Sequence, residues 1–332
     1  MLGLAGRAPG LVVTAPRAVG VRLTYDAVPA PVRAWVEQSL GSPVTTAVEQ
    51  VGGMSPGCAT RLTCADGTRA FVKAVGASLN PDTPGLFRRE IGVLEHLGDH
   101  PLWARMLAAY DDGDWVAVLV EDVEGRHPDF SHDVELRAVL DGTEELSQVL
   151  QGVAVPPSVG LVDIAGRFRL WADTLSSLSR EPETTPVPRW LRTDPHGWSD
   201  LLRDHAELPM QHVAHWDIRV DNLLRRPDGR IVFVDWGMAA RGPAWVDPLL
   251  ARMERVDEPW FDSSTASSPA LRAAGDDVVT AFLAGFGAHL AVRSMVAVDL
   301  NLPTLNEFRR RESGRMMAAV ARRSGRAPEG RT

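Results

Sequence analysis

Short apolar segments with β-branched character crowd the first third of the chain, and helical spacing takes over beyond it. Pro29-Ala30-Pro31 followed by Val32 to Leu40 predicts a short helix, with proline in its first turn and Gly41 as its stop. Thr45 to Val51 then reads as a strand running into the glycine-rich turn Gly52-Gly53-Met54-Ser55-Pro56-Gly57. Cys58 to Cys64 returns as a second strand, Asp66-Gly67 turns the chain, and Arg69 to Val75 makes a third. Residues 76–85 form a loop. From Leu86 to Leu97, Leu86, Phe87, Ile91, Leu94 and Leu97 recur at helical spacing. Two more strands, Met106 to Tyr110 and Trp115 to Glu121, are joined by Asp112-Gly113. This order predicts a mostly antiparallel sheet with one helix, an α+β unit.

After Asp122 the pattern changes. Residues 131–207 read as helices broken by Pro- and Thr-rich loops, notably Glu181 to Pro188. A compact β-rich insert follows: Met210 to Ala214, Leu223-Leu224, the turn Asp228-Gly229, and Ile231 to Val234. Beyond Pro248 the chain reads as helical to about Arg323. The boundary between the two parts falls near residues 121–126. The expected division is a flexible tail over 1–22, a first lobe over 23–122, a second over 123–323, and a flexible tail over 324–332.

Composition narrows the function. The 332 residues are 45% hydrophobic and 23% charged, as in ordinary globular proteins, and the net charge of −8 argues against nucleic acid as a partner. Cys58 and Cys64 are too few and too close for a disulfide framework, and they have no partner at metal-ligand spacing, so both are expected as packed side chains. Near the N-terminus the longest apolar run is Leu11-Val12-Val13, too short for a signal peptide, and no stretch reaches the ~18 residues of a membrane span. A cytoplasmic location is therefore expected, with no membrane partner. Of 35 basic residues, 34 are arginine and one, Lys73, is lysine. A compact ammonium retained against that bias points to a chemical task that a planar guanidinium does not fill, although one lysine alone is also compatible with chance.

The segment His215-Trp216-Asp217-Ile218-Arg219-Val220-Asp221-Asn222 decides the matter, with Asp235 placed 13 residues after Asn222 in Val234-Asp235-Trp236-Gly237. One carboxylate to orient an acceptor hydroxyl, and an amide oxygen with a second carboxylate to hold Mg²⁺ against phosphates, is the set that phosphoryl transfer needs. Here the sequence resembles the aminoglycoside phosphotransferase superfamily, protein-kinase-like small-molecule kinases that include antibiotic, choline and homoserine kinases. The resemblance covers roughly residues 45–255. It implies a bilobal protein-kinase-like α+β fold, with a small antiparallel-sheet N-lobe that binds ATP and a larger, mainly helical C-lobe. It also implies Asp217 as catalytic base, Asn222 and Asp235 as Mg²⁺ ligands, and His215 as a brace for the loop.

By the same resemblance, Gly52, Gly53, Ser55 and Gly57 occupy the place of the nucleotide-covering loop, where backbone N–H groups face phosphate oxygens. Lys73 sits where the family places its phosphate-binding lysine, and Glu90, 17 residues on, is its expected partner, with Glu95 as a second candidate. Glu121 and Val123, at the inter-lobe hinge, would meet the adenine edge through their backbone. Arg219 is in position to reach the transferred phosphate, or else to pair with Asp221. Asp247, in Trp245-Val246-Asp247-Pro248, matches an element that braces the catalytic loop. Trp216 and Trp236 stand beside catalytic positions.

Between Glu121 and Glu145 nine acidic residues face only Arg126 and Arg137, which reads either as an acidic wall for a cationic acceptor or as a solvated helix face. The basic stretch Arg309 to Arg323 is expected as an exposed helix face. Three functions fit: phosphate transfer from ATP to an aminoglycoside-like antibiotic, transfer to a small metabolite, or a nucleotide-binding pseudokinase acting as a partner protein. Oligomeric state has no signal in the sequence.

Overall fold

The computed structural model describes residues 22–50, 56–193, 195–208, 210–296 and 304–326. The chain opens with helix α1 (Ala30–Leu40), closed by Gly41 in the left-handed region at φ 71°. Strands β1 (Val44–Glu49), β2 (Cys58–Cys64) and β3 (Arg69–Gly76) follow, then helix α2 (Thr83–Leu97) and strands β4 (Met106–Asp111) and β5 (Trp115–Glu121). Every neighbouring pair in this five-stranded sheet is antiparallel, in the order β1-β2-β3-β5-β4.

Alternation along the strands sorts this lobe into two faces. Leu62, Ala70, Val72, Ala74, Ala117 and Leu119 pack with Val32 and Val36 of α1. The intervening residues Phe71 and Lys73 point the other way, toward α2 and the cleft beneath the sheet. On α2, Phe87, Glu90 and Leu94 fall on one face at helical spacing, so the face that packs on the sheet carries Glu90 toward Lys73. Cys58 and Cys64 are buried free thiols, as expected, and burial pushes the Cys58 thiol up to about 11.

The chain leaves the sheet at Glu121 and enters the helical lobe at α3 (Asp133–Val149). Strand β6 (Val162–Asp163), helices α4 (Ile164–Ser177), α5 (Arg189–Thr193) and α6 (His196–Ala206), and strands β7 (His212–Ala214), β8 (Leu223–Arg225), β9 (Ile231–Phe233) and β10 (Ala240–Gly242) come next. Helices α7 (Val246–Leu250), α8 (Pro259–Ser267), α9 (Pro269–Ala274), α10 (Asp276–Arg293) and α11 (Leu305–Arg323) complete the lobe. The result is the expected α+β bilobal arrangement. The lobe's core gathers Phe168 and Trp171 of α4, Phe282 of α10 and Met316 and Met317 of α11. No helix among the described residues is long and apolar enough to cross a membrane.

One part of the sequence reading changes. Three arginines of α11 are not on a free face: Arg315 pairs with Asp257 and Glu312, and Arg322 and Arg323 both pair with Asp262, while Arg310 and Arg311 are exposed. The reason is tertiary, because α11 packs along α10 and brings its charges against acids of the preceding segments. After α11, Ser324 and Arg326 donate backbone N–H groups to the Val320 and Ala321 carbonyls.

Candidate active site

Two small β-structures hold the site's loops. The β8–β9 hairpin pairs Leu223 with Phe233, and the Val234 N–H donates to the Asn222 carbonyl at 3.0 Å, which fixes the approach to Asp235. Strand β10 pairs in parallel with β6 and antiparallel with β7, tying the segment after Asp235 to the one before His215. Neither β6 nor β10 was expected from the sequence.

The loop from His215 to Asn222 is fastened from beneath. Asp247 is buried and accepts two backbone N–H bonds, from His215 at 2.7 Å and from Trp216 at 2.9 Å. These bonds restrain Trp216, which has φ 66°, a left-handed conformation that a bulky residue adopts only under such constraint. Buried His215 completes the brace. Its Nε2 lies 3.0 Å from the Val234 carbonyl and its Nδ1 accepts the Asp217 N–H at 3.3 Å, a pattern that one neutral tautomer satisfies. Burial lowers the His215 pKa, which favours that neutral form.

Asp217 and Asn222 are joined directly. The Asn222 amide donates to the Asp217 carbonyl at 3.0 Å and to its Oδ2 at 2.8 Å, which orients the carboxylate and leaves the Asn222 amide oxygen available. Burial raises the Asp217 pKa to about 6, against the nearby Arg219 charge. Arg219 forks onto Asp221, with two contacts of 3.1 Å, and lies 3.5 Å from Asp217 Oδ1. Pairing with Asp221 was the alternative that the sequence left open for this residue.

Lys73 reaches across from the sheet. Its Nζ is 2.6 Å from Glu90 Oε2 and 2.8 Å from Asp235 Oδ1. Burial works against the Lys73 charge, but Asp235 and Glu90 outweigh it and hold the ammonium protonated above the ordinary lysine range. Burial likewise opposes the Asp235 charge, and Lys73 overrides it and holds that carboxyl down at about 2. Glu90 is almost fully buried, and burial pushes it up. Asp235 sits at φ 68° with its side chain 45% exposed, presented toward the cleft.

Lys73, Glu90, Asn222 and Asp235 line one cavity between the lobes, together with Glu121 and Val123 of the connecting segment. Phe71, Leu94, Ala104, Val120, Leu224 and Phe233 give it apolar walls at the connecting end. Its polar end is set by Lys73, Asp221, Asn222, Asp235 and Arg22. Asp217 and Arg219 stand beside this polar end and not in the cavity wall. Flat apolar walls with a cation and carboxylates at one end suit a nucleotide base and its phosphates. The Glu121 N–H is engaged by the Arg105 carbonyl at 2.9 Å and its side chain by Arg226, which narrows its expected backbone contact to the carbonyl.

Among the described residues no group of three or more His, Cys, Asp or Glu could hold a metal ion by itself. The Asn222 amide oxygen and the Asp235 carboxylate are hard donors of the number that Mg²⁺ uses when phosphates complete its shell, so the residues present fit that ion.

Other expectations fare differently. Gly52, Gly53 and Ser55 lie outside the described residues. Gly57 has a steric reason for being glycine, because a Cβ there would stand 2.3 Å from the Ala74 carbonyl oxygen. Part of the acidic stretch after the hinge is paired with arginine: Glu121 with Arg226, Asp122 with Arg61 and Arg69, Asp133 with Arg255 and Glu135 with Arg126. Arg226, Arg61, Arg69 and Arg255 come from distant segments, and Arg126 from the stretch itself. Arg22, read as the end of a tail, was missed as a cavity residue, and an arginine between Val21 and Leu23 gives no signal for that position.

Residues 62–288 match the family model described as the phosphotransferase enzyme family. The chain belongs to that family. Solved structures of similar fold include an aminoglycoside phosphotransferase from Alicyclobacillus acidocaldarius subsp. acidocaldarius DSM 446, 15% identical, covering 85% of this chain and 92% of its own, at a TM-score of 0.53. A thermostable mutant of aminoglycoside phosphotransferase APH(4)-Ia, in ternary complex with ADP and hygromycin B, is 17% identical over 90% of this chain and all of the other, at 0.55. Choline kinase LicA from Streptococcus pneumoniae is 15% identical over 87% and 98% of the two chains, at 0.53. At such identities these likenesses carry the fold alone. No curated protein sequence matches the chain. As a member of the phosphotransferase family the protein is a small-molecule kinase.

Proposed function

We propose that this phosphotransferase moves the γ-phosphate of ATP to a hydroxyl of a small molecule in the cytoplasm, with an aminoglycoside-like antibiotic as the favoured acceptor. The observation that carries the reading is one connected set of side chains spanning the lobes: Glu90 to Lys73 to Asp235 at the polar end of the cavity, with Asp217 and Asn222 joined beside it. Lys73, fixed by two carboxylates, would contact the nucleotide's phosphates as a point charge. Asp217 would accept the proton of the acceptor hydroxyl, and its raised pKa makes it a better base than an ordinary aspartate while it stays largely ionised near neutrality. Arg219, 3.5 Å from Asp217, would face charge developing on the transferred group. Asn222 and Asp235 would hold Mg²⁺, which when bound neutralises phosphate charge. Glu121 and Val123 would meet the adenine edge, and Gly52, Gly53, Ser55 and Gly57 would cover the phosphates.

One observation favours a second acceptor class. Several acids after the hinge are paired with arginines, which weakens the acidic stretch as an argument for a cationic antibiotic. A metabolite acceptor, such as an amino alcohol or sugar, therefore stands as the alternative. A pseudokinase scaffold would need none of the connected set. Transfer of phosphate from ATP, assayed across aminoglycosides, other antibiotics, amino alcohols and sugars, tests all three. Product from antibiotics supports the favoured acceptor, product from metabolites alone supports the second, and nucleotide binding without any product supports the scaffold.

A further inference from the structure

Arg22 reaches the phosphate end of the cavity from a strap that precedes the sheet. The strap is tied at two points that flank the glycine-rich turn. The Leu23 N–H donates to the Pro56 carbonyl at 3.2 Å, and the Tyr25 N–H donates to Glu49 Oε1 at 2.7 Å. Glu49 ends β1 and Pro56 lies just before β2, so the strap is held to the ends of both strands and brings Arg22 into the same cavity wall as Lys73, Asp221, Asn222 and Asp235.

The guanidinium there is incompletely satisfied. Its Nε is buried, and no atom of the described residues accepts a hydrogen bond from it. Burial depresses its pKa, and the fields of Asp235, Cys58, Asp221 and Glu49 offset that only in part. Arginine does not shed its proton, so a buried, unmatched donor raises the free energy of the protein unless a ligand supplies the acceptor. The forked geometry of a guanidinium matches phosphate oxygens, which accept two parallel N–H bonds. A merely structural position would be served better by an apolar side chain.

We infer that Arg22 is a second phosphate-binding cation of the nucleotide site, donating to the polyphosphate from the strap while Lys73 does so from the sheet. The inference rests on the nucleotide reading of the cavity and adds a residue to it. Nucleotide binding, free of any acceptor, tests it. Titration calorimetry with Mg²⁺ and ADP, with Mg²⁺ and a non-hydrolysable ATP analogue, and with AMP compares the wild type with Arg22→Gln, Arg22→Lys and Lys73→Ala. Arg22→Gln is expected to weaken ADP and the analogue about tenfold, to leave AMP within twofold, and to melt no lower than the wild type without nucleotide. Arg22→Lys should recover part of the loss, since it restores the charge without the fork. Equal affinities in wild type and Arg22→Gln, with ADP weakened by Lys73→Ala, would overturn the role of Arg22 alone. Tighter binding by Arg22→Gln would also overturn it, because the strap would then obstruct the site. No binding of ADP or the analogue by the wild type would overturn the nucleotide reading along with it.

Discussion

Lys73 Nζ lies 2.8 Å from Asp235 Oδ1, a contact between residues 162 positions apart that joins the sheet of one lobe to the β8–β9 hairpin of the other. Glu90, on α2 of the same lobe as the sheet, holds the same ammonium at 2.6 Å, so the lysine is positioned from both sides of the cleft by Glu90 and Asp235. This arrangement asks for a compact charge with three donors.

Replacing it by Lys73→Arg keeps the charge and changes the shape. The longer planar fork cannot sit between Glu90 and Asp235 and address phosphates from the same point. Turnover is expected to fall roughly 10²-fold or more, the scale of losing one preorganised electrostatic contact. Steady-state kcat for the variant checks this, and wild-type turnover would return Lys73 to a compositional coincidence.

If Asp217 is the base, it is expected to set the acid limb of the pH profile. Its pKa is raised to about 6 by burial, and a base works only when ionised. As pH falls through about 6, kcat/KM, which reports the free enzyme, should drop tenfold per unit. Asp217→Asn should remove the activity at every pH while ADP still binds. A limb centred near the ordinary aspartate range would show that the free enzyme does not carry this shift.

Asp247→Asn separates bracing from chemistry. The carboxylate accepts from both His215 and Trp216, whereas an amide presents only one acceptor oxygen and leaves one buried N–H unmatched. The expected outcome is a loss of about 1–3 kcal/mol of stability by denaturant unfolding, with kcat reduced more than nucleotide affinity. Unchanged stability and kcat would remove Asp247 from the support of the loop.

Gly57→Ala tests the close approach of β2 to β3. The added methyl would meet the Ala74 carbonyl oxygen at 2.3 Å, which backbone must move to relieve. Destabilisation of about 1–3 kcal/mol is expected from thermal or denaturant unfolding. A neutral substitution would indicate that the turn has room to shift.

The two-lobe plan was legible because its strands alternate over enough residues to be read. Cys58–Cys64 and Trp115–Glu121 have the bounds that their patterns predict. The candidate site was legible for a different reason, since the spacing of Asp217, Asn222 and Asp235 stands out in the sequence, and the fold brings Asn222 beside Asp217 and Asp235 into the same cavity wall as Asn222. Strands β6 and β10 are two and three residues long and gain their identity only from pairing with segments far away in sequence. No local period exists at that length. Charge was the least legible property. The acids after the hinge and the arginines of α11 looked like surfaces in the sequence, and distant partners take up some of them in the fold, Arg226 for Glu121, Asp257 for Arg315 and Asp262 for Arg322. Arg22 shows the converse, a cation in a stretch without pattern that the strap carries into the cavity.

Phosphorus NMR of the protein with ATP, Mg²⁺ and panels of aminoglycosides, amino alcohols and sugars tests the central claim most directly. The account predicts a new phosphate-ester signal and matching ADP with at least one hydroxyl compound, absent when Asp217→Asn replaces the wild type. Nucleotide bound to the wild type with no ester formed on any of these compounds would contradict it.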